Sequence, residues 1–359
     1  MNTTSAENYD ISWVSSADQQ RWDDYVVNSA LTTPYHRFAW LQAVESAYGY
    51  TQQSVIATEK ATGHVVGILP LVYIDAFFIS RQLCSLPFCD IGAAIADSAV
   101  IDELMHAFAL SANQQVKAQF LEIRQSLPAT DNEAELTGQK VRMIMPLEPG
   151  SETLLASFKS KLRSQIKKAE KNGLTVKLGN SAQLIADFYS VYTVNMRDLG
   201  SPPHAEDWFM ALQQAYADDL IVSVVYHNAM PIGAGIVLRN GPSACIPWAS
   251  TIQLYNRLAP NMLLYWSLLA HCADTGIQWF DFGRSTYGEG TYRFKKQWGA
   301  VPQPLRWYRQ FPSGDITDLN ETATPGTSKK RQMLEDTWRR LPLPLTIKFG
   351  AAIRPYITL

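Results

Sequence analysis

The stretch of chain from residue 280 to 299, FDFGRSTYGEGTYRFKKQWG, combines residue types that could hold an anion. A short aromatic strand ends at Gly283, a loop with two glycines follows, and a helix is predicted up to the next glycine. At roughly 100° per residue, Lys295 flanks the apolar face of that helix, whereas Arg293 and Lys296 point away from it. A cation at the edge of a core, beside a glycine-rich helix start, is typical of an anion-binding site.

Three charged residues of this segment are candidates for proton transfer and charge stabilisation. Asp281 could accept the proton of an attacking amine, while Lys295 and Arg284 could hold an oxyanion or a phosphate. An ion pair of Asp281 with Arg284 or Lys295 is the structural alternative, and both interpretations stay open. Tyr287 and Tyr292, from the loop and the helix, complete the substrate-binding residues that we predict in this segment.

A strongly basic helix is predicted upstream, over residues 152–172. Lys159, Arg163, Lys167 and Lys171 recur every four residues and therefore form one stripe on it. The stripe could bind the phosphates of an acyl-carrying tRNA, of a coenzyme A tail or of a nucleotide-linked acceptor. A solvated surface face is the alternative. We take Arg163, Lys167 and Lys171 as predicted substrate-binding residues.

The segment NMRDLGSPPH places Arg197 and His204 at a helix end and in the proline-rich loop after it. Such a loop could form one lip of an acceptor cleft, so both residues are predicted to bind substrate. The alternative is a helix C-cap followed by a turn that the prolines stiffen.

Arg257 and Asn261 precede a helix predicted over residues 262–275. Arg257 brings a positive charge, and Pro260 with Asn261 forms a plausible helix start, so we predict that Arg257 and Asn261 bind substrate. An ordinary capped helix is the alternative.

Several other kinds of site are excluded by residue spacing. The six histidines never pair at metal-ligand spacing, and Cys84 with Cys89 lacks further ligands, so no metal site is predicted. The sequence contains no nucleophile elbow, P-loop or dinucleotide fingerprint. Direct attack of an amine on a bound acyl donor is therefore favoured over covalent catalysis by a cysteine.

The composition is that of an ordinary globular protein. The chain has 359 residues, a net charge of −2, 47% hydrophobic and 18% charged residues, so any polyanion site must be local. Four cysteines are too few for a disulfide scaffold, and a reduced protein is expected. No signal peptide or membrane-spanning run is recognised, which predicts a cytoplasmic protein that could still touch the inner membrane.

The elements that position these residues follow a similar order twice. Helices are predicted over residues 11–50, then paired strands, a helix at 99–115 and strands at 120–124 and 141–147. The second half repeats helices, a hairpin around residues 221–238 and the final helix and strands. We predict an α/β chain with mixed sheets and the domains 1–148, 149–312 and 313–359. The last of these is a linker followed by a basic amphipathic tail.

These segments resemble the FemAB family of aminoacyl- and acyltransferases. The resemblance lies in GILPLVYI, LCSLPFCDIGAAIAD, KLRSQIKKAEKNGLTV, NMRDLGSPPH, the long run from LYNRLAPNM to LRWY, and the tail WRRLPLPLTIKFGAAIRP. Their order is most similar to that of the FemAB-related proteins found with exosortase-type exopolysaccharide systems. The resemblance implies two tandem GNAT-like domains, and it marks Lys295 of the Phe-Lys pair as a substrate-site residue.

The same resemblance implies transfer of an acyl group to an amine. The first expectation is transfer from acyl-CoA to an amino group of a cell-envelope or exopolysaccharide saccharide, small or lipid-linked. Two alternatives stay open: aminoacyl-tRNA as the donor for a peptidoglycan precursor peptide, and a non-catalytic factor of exopolysaccharide assembly. The loop before residue 262 lacks the glycines with which GNAT proteins bind the coenzyme A pyrophosphate. The basic tail is a candidate for peripheral membrane contact, with packing on its own domain as the alternative.

Overall fold

The computed structural model describes residues 7–76, 80–319 and 329–358. The chain divides into two compact units: Met1–Asp131 with Pro304–Ala323 and Thr358–Leu359, and Asn132–Gln303 with Thr324–Ile357. The predicted domain boundaries at 148/149 and 312/313 stay a prediction, since these units are delimited by contacts and divide at other residues.

The helices and strands alternate along the whole chain. In chain order they are β1 (Tyr9–Trp13), α1 (Gln19–Asn28), α2 (Phe38–Tyr48), β2 (Val55–Glu59), β3 (Val65–Leu69), β4 (Val72–Ala76), β5 (Ser80–Cys84), β6 (Ile95–Ala96), α3 (Ala99–Val116), β7 (Phe120–Ser126), α4 (Glu133–Leu136), β8 (Lys140–Pro146), α5 (Ser151–Ser157), α6 (Ser160–Lys171), β9 (Leu174–Gly179), α7 (Ala182–Leu199), α8 (Glu206–Tyr216), β10 (Leu220–His227), β11 (Met230–Asn240), β12 (Ser243–Thr251), α9 (Pro260–Asp274), β13 (Trp279–Thr286), α10 (Gly290–Gln297), β14 (Val301–Gln310), β15 (Ile316–Asp318), α11 (Lys329–Arg340) and α12 (Leu343–Ile353).

The first unit contains two sheets. One has the strand order β1-β2-β3-β6 and is antiparallel; the other contains β4-β5-β7-β14, with β5 and β7 parallel and β15 added to β14. The prediction of helix over residues 11–50 is wrong at its start, because Tyr9, Ile11 and Trp13 alternate along β1 and pack on the core of this unit. The hairpin of β2 and β3 is confirmed.

A buried arginine connects several segments of the first unit by hydrogen bonds. Arg124 is 1% exposed and donates to Glu122 Oε1, to the carbonyl oxygens of Leu86 and Cys89, and to that of Thr358 near the chain end. Burial raises the pKa of Glu122, but the positive charges of Arg124 and Arg309 outweigh it and hold that pKa below its ordinary value. All four cysteines are buried and free.

The second unit is built on one sheet with the order β8-β13-β12-β11-β10-β9. Only β12 and β13 run parallel in it, and α9 makes the crossover between them. Strand β8 was predicted to close the first half, but it pairs antiparallel with β13 of this unit. Apolar side chains of α5, α6, α9 and α10 cover the sheet and form the core.

The helix predicted over residues 152–172 is two helices. Phe158 and Lys159 are extended, with ψ of 148° and 146°, and they separate α5 from α6. Leu154, Phe158, Leu162 and Ile166 recur every four residues across the break, and all are buried. The apolar spacing therefore continues through the break and gives no sign of it.

The chain ends in a helical tail. The tail predicted after the linker consists of α11, which begins at Lys329, and α12; both pack against α7. Of the predicted linker, residues 316–318 form β15, and residues 320–328 lie outside the described part. No helix among the described residues is long and apolar enough to cross a bilayer.

Candidate functional site

The candidate site is organised around two strands that separate. Strands β12 and β13 pair only over Ser243–Cys245 and Trp279–Asp281, and no further pairing between them occurs in the described chain. Pro247 has no N–H to offer a ladder, and Gly283 takes the left-handed φ of 73°. We call the parts of β12 and β13 that do not pair with each other, residues 246–251 and 282–286, the fork. Crevices outside the carboxyl ends of neighbouring parallel strands are where α/β folds bind ligands.

Asp281 stabilises the bend that opens the fork. Its Oδ2 accepts from Arg142 Nε and Nη2 at 3.1 and 3.0 Å, and its Oδ1 accepts from the backbone N–H of Gly283 at 2.8 Å. Asp281 therefore forms an ion pair, as the structural alternative proposed. Its partner is Arg142, so the prediction of Arg284 or Lys295 as the partner was wrong. The pair is largely buried, the side chains being 14% and 7% exposed. Whether Asp281 also accepts a proton stays a prediction.

Lys295 also stabilises the bend at Gly283, through hydrogen bonds to backbone carbonyl oxygens. Its Nζ donates to the carbonyl oxygens of Gly283 at 3.1 Å and Arg284 at 2.8 Å, and the residue is only 8% exposed. The helical geometry predicted for it is confirmed, because Lys295 faces the core while Arg293 and Lys296 are exposed. Lys295 thus brings a buried positive charge to the fork.

The remaining predicted residues of this segment are close by. Arg284 is half-buried on β13. The rings of Tyr287 and Tyr292 lie 4.6 Å apart, and a hydrogen bond with Tyr292 raises the pKa of Tyr287 to about 12. Tyr292 is 4% exposed and belongs to the core, so only Tyr287 is accessible in this pair.

A second feature of the site is an open pocket of about 350 Å³ in the second unit. Lys159 and Lys161, at the start of α6, and Lys296, at the end of α10, line it. Phe158 and Trp298 form its aromatic wall, with ring centroids 5.5 Å apart at 82°. Three cations beside a helix N-terminus favour a bound anion, and a flat aromatic group could lie on the wall.

Trp298, which lines the pocket, also has a buried polar group without a partner in the described part of the chain. The residue is 1% exposed, and its Nε1–H finds no acceptor among the described residues. A buried N–H without a partner is costly, about 1–3 kcal/mol, and a ligand or water usually satisfies it.

The structure separates the basic stripe into different roles. Arg163 Nη1 donates to the carbonyl oxygens of Ala156 at 3.0 Å and Phe158 at 2.6 Å, so its guanidinium stabilises the end of α5. Lys167 and Lys171 are exposed further along α6 and do not line the pocket. Of the stripe, only Lys159 reaches the pocket.

The loop before α9 does not present free amides in the way a pyrophosphate loop would. Residues Gln253–Leu258 form a 3₁₀-helix, and Ala259 N–H donates to the carbonyl of Asn256. Arg257 is exposed, and Asn261 is half-buried at the start of α9. Pro260 is at the first helical position, as predicted.

His204 adjoins the fork through ring packing, since its ring centroid lies 6.2 Å from that of Trp248. His204 is fully buried, its Nε2 accepts from Arg354 Nε at 3.0 Å, and its ring stacks 5.6 Å from Trp208. Burial, with the charge of Arg354 adding to it, keeps the pKa of His204 well below its ordinary value. Arg197 pairs with Asp198 at 3.0 Å.

Five residues of these two features were not singled out from the sequence as site residues: Arg142, Lys159, Lys161, Ser285 and Lys296. Ser285 is 4% exposed on the fork strand, and its Oγ has no partner among the described residues. The signal for Lys159 and Lys161 was the basic run KSKLRSQIKKAEK itself, from which Arg163, Lys167 and Lys171 were predicted instead. Nothing local indicated Arg142, which is 139 residues from Asp281. The described residues contain no cluster of three or more potential metal ligands.

Comparisons with known proteins agree with the predicted fold. Residues 156–296 match the family described as "Acetyltransferase (GNAT) domain". The chain is 26% identical over 151 residues to the UDP-N-acetylmuramoylpentapeptide-lysine N(6)-alanyltransferase of Weissella viridescens. That alignment covers 40% of this chain and 44% of the relative, so the chain spans less than half of the relative's length.

Two solved structures extend the likeness to nearly the whole chain. The crystal structure of FemX superposes with a TM-score of 0.64 and 12% identity, covering 91% of this chain and all of the other. A tandem GNAT protein from the clavulanic acid biosynthesis pathway gives a TM-score of 0.50 at 12% identity, covering 89% and 100%. The α/β architecture with two tandem GNAT-like domains, followed by the helical tail, is confirmed.

Proposed function

We propose that this chain, a FemAB-related protein with two tandem GNAT-like domains, is an acyltransferase that moves an aminoacyl group from tRNA to an amine of a peptidoglycan precursor. This was the alternative rather than the first expectation from the sequence. The alanyltransferase from Weissella, whose acceptor is a muramoyl pentapeptide, supports it. The observation that carries it is the pocket in which Lys159, Lys161 and Lys296 meet beside Phe158 and Trp298.

The pocket suits the end of a nucleic acid better than a lone carboxylate. Three lysines and the free N–H groups at the start of α6 match phosphate oxygens, while the aromatic wall matches a base. The loop before α9 also favours tRNA over coenzyme A as the donor. Its 3₁₀-turn engages backbone amides that would otherwise be available to a coenzyme A pyrophosphate. We therefore assign the phosphates of the donor to this pocket.

The fork would hold the reacting carbonyl. The amine nitrogen attacks the ester carbonyl carbon, the C–N bond forms, the ester C–O bond breaks, and the ribose hydroxyl leaves with a proton. The positive charge of Lys295 stabilises the oxyanion, directly or through the backbone that it fixes. Asp281 stays the predicted acceptor of the amine proton, now with its carboxylate oriented by Arg142.

A second candidate keeps the fold and changes the donor. The match to an acetyltransferase domain over residues 156–296 favours acyl-CoA, with an amino group of a free or lipid-linked saccharide as the acceptor. The same lysine pocket would then hold the phosphates of the coenzyme. Only the donor's leaving group, a thiol rather than a hydroxyl, differs in the chemistry.

One experiment separates the two. The full chain is incubated with radiolabelled aminoacyl-tRNA and UDP-N-acetylmuramoyl pentapeptide, and in parallel with acetyl-CoA and amino sugars. We expect a labelled peptide whose formation stops when ribonuclease is added. Thiol release with amino sugars, and no labelled peptide, would replace the proposal by the second candidate; no product in either arm would contradict both.

A further inference from the structure

Helix α12 turns an apolar face to solvent. Leu345, Phe349 and Ile353 recur every four residues and are 41%, 48% and 44% exposed, and Tyr356 just beyond the helix is 49% exposed. At about 100° per residue, these side chains and the exposed Lys348 and Ala352 share an arc of roughly 140°. An amphipathic helix of a globular protein normally turns such an arc inward.

The orientation of α12 is fixed by its opposite face. Thr346 is fully buried, and Gly350 packs so closely on Pro203 of the loop after α7 that any side chain there would collide with the proline ring. Beyond the helix, Arg354 is held by His204. The apolar arc is therefore turned outward by packing, and a rotation that buried it would break these contacts.

The charge of this part of the chain is of one sign. Residues 341–359 contain Lys348 and Arg354 and no aspartate or glutamate. Lys348 lies within the exposed arc, and Arg340 is exposed at the end of α11. A helix with an apolar face and flanking cations is suited to the interface of a bilayer that contains anionic lipids.

We propose that the exposed face of α12, formed by Leu345, Lys348, Phe349, Ala352, Ile353 and Tyr356, docks on an anionic membrane surface. A second copy of the chain fits this face less well, because a two-fold contact would bring Lys348 towards Lys348 with no carboxylate between them. The proposal goes beyond acyl transfer and does not depend on which donor the enzyme uses. Its consequence is to place the enzyme at the surface where lipid-linked acceptors reside.

Vesicle flotation of the full chain tests the proposal. We expect the protein to float with vesicles of phosphatidylcholine and phosphatidylglycerol, and much less with phosphatidylcholine alone. Phe349→Glu with Ile353→Glu should reduce the bound fraction by about tenfold or more, because both carboxylates would enter the acyl boundary. Lys348→Gln should weaken binding by about fivefold and flatten its salt dependence. Leu254→Glu, at a still more exposed apolar site of the same unit (77%), is the control and should bind as wild type.

A label gives a second readout that does not depend on affinity. Since all four natural cysteines are buried, Ala352→Cys can be labelled selectively with an environment-sensitive dye. Its emission should shift to the blue on anionic vesicles, whereas a label at Leu254→Cys should not respond. Absence of vesicle binding, unchanged binding of the double glutamate variant, or dimerisation through this face without vesicle binding would each overturn the proposal.

Discussion

Lys295 and Lys296 are consecutive in α10 and lie in opposite environments. Lys295 is 8% exposed, and its Nζ donates to the carbonyl oxygens of Gly283 and Arg284 in the fork. Lys296 is exposed, lines the pocket, and holds its Nζ 5.5 Å from the ring centroid of Tyr292. The two cations therefore serve different parts of the proposed reaction, and their replacements should have different kinetic effects.

Replacing Lys295 by methionine should lower kcat by about 10²–10³, the effect of one lost oxyanion donor. Lys296→Met is the matched control: it should raise the KM for the donor and leave kcat near the wild-type value. Steady-state kinetics with aminoacyl-tRNA measures both, and thermal melting shows whether each variant is folded. A fully active Lys295→Met enzyme would remove Lys295 from the site.

The ion pair of Asp281 and Arg142 makes a prediction about stability. Arg142→Met leaves the carboxylate of Asp281 largely buried and unpaired, which should lower the free energy of unfolding by about 3–5 kcal/mol. Urea denaturation of both single variants and of the double variant Asp281→Asn/Arg142→Met measures the coupling. A sum of single effects equal to the double effect would show that the pair contributes nothing jointly.

The two roles of Asp281 can be separated with the Asp281→Asn variant. The amide oxygen still accepts from the N–H of Gly283, so the bend should survive, but the group can no longer take a proton. If Asp281 is the base, kcat should fall by about 10²–10⁴ while the variant stays folded. An activity that merely follows the folded fraction would assign Asp281 a positioning role alone.

Local signals in the sequence were sufficient for much of this fold. The hairpin of β10 and β11 and the helix start at Pro260 follow from short-range chemistry, and the structure has both. Gly283 was predicted to end its strand, but it bends β13, which continues to Thr286. The break between α5 and α6 could not be predicted, since apolar residues keep their spacing of four across it. Strand β1 was mistaken for helix because five residues are too few to show a period against the helical pattern after them.

Pairings over long sequence distances account for what was missed in the site. Helical geometry correctly separated Lys295 from Lys296, but it could not show that α6 and α10 meet at a pocket. The sequence therefore favoured the stripe of Arg163, Lys167 and Lys171, although the guanidinium of Arg163 is engaged by backbone carbonyls. Arg142 became a partner of Asp281 only through the pairing of β8 with β13.

The pocket lysines can be tested against the other lysines of the same helix. Lys159→Gln/Lys161→Gln should raise the KM for aminoacyl-tRNA about tenfold or more at low salt, and the slope of log KM against log salt should fall by about one to two. Lys167→Gln/Lys171→Gln removes the same charge from α6 outside the pocket. We expect a clearly smaller change for it. Equal effects of the two double variants would indicate a diffuse basic surface instead of a pocket.

His204 links the stability of the second unit to pH. Burial and the nearby charge of Arg354 lower its pKa well below 6.5 in the folded protein. As the pH falls below 6.5, the unfolded chain binds the proton first, so the free energy of unfolding should fall by up to about 1.4 kcal/mol per pH unit. Denaturation between pH 7.5 and 5 measures this slope.

A variant isolates the contribution of His204 from those of His106 and His271, whose pKa values burial also lowers. His204→Gln keeps an acceptor for Arg354 but cannot be protonated, so the slope should decrease relative to the wild type. Protonation of His204 also removes the acceptor of Arg354, so the protection factors of the α12 amides should fall at low pH in the wild type only. If the two proteins show the same slope and the same protection, His204 does not anchor the tail, and the outward orientation of α12 rests on the burial of Thr346 and the packing of Gly350 on Pro203.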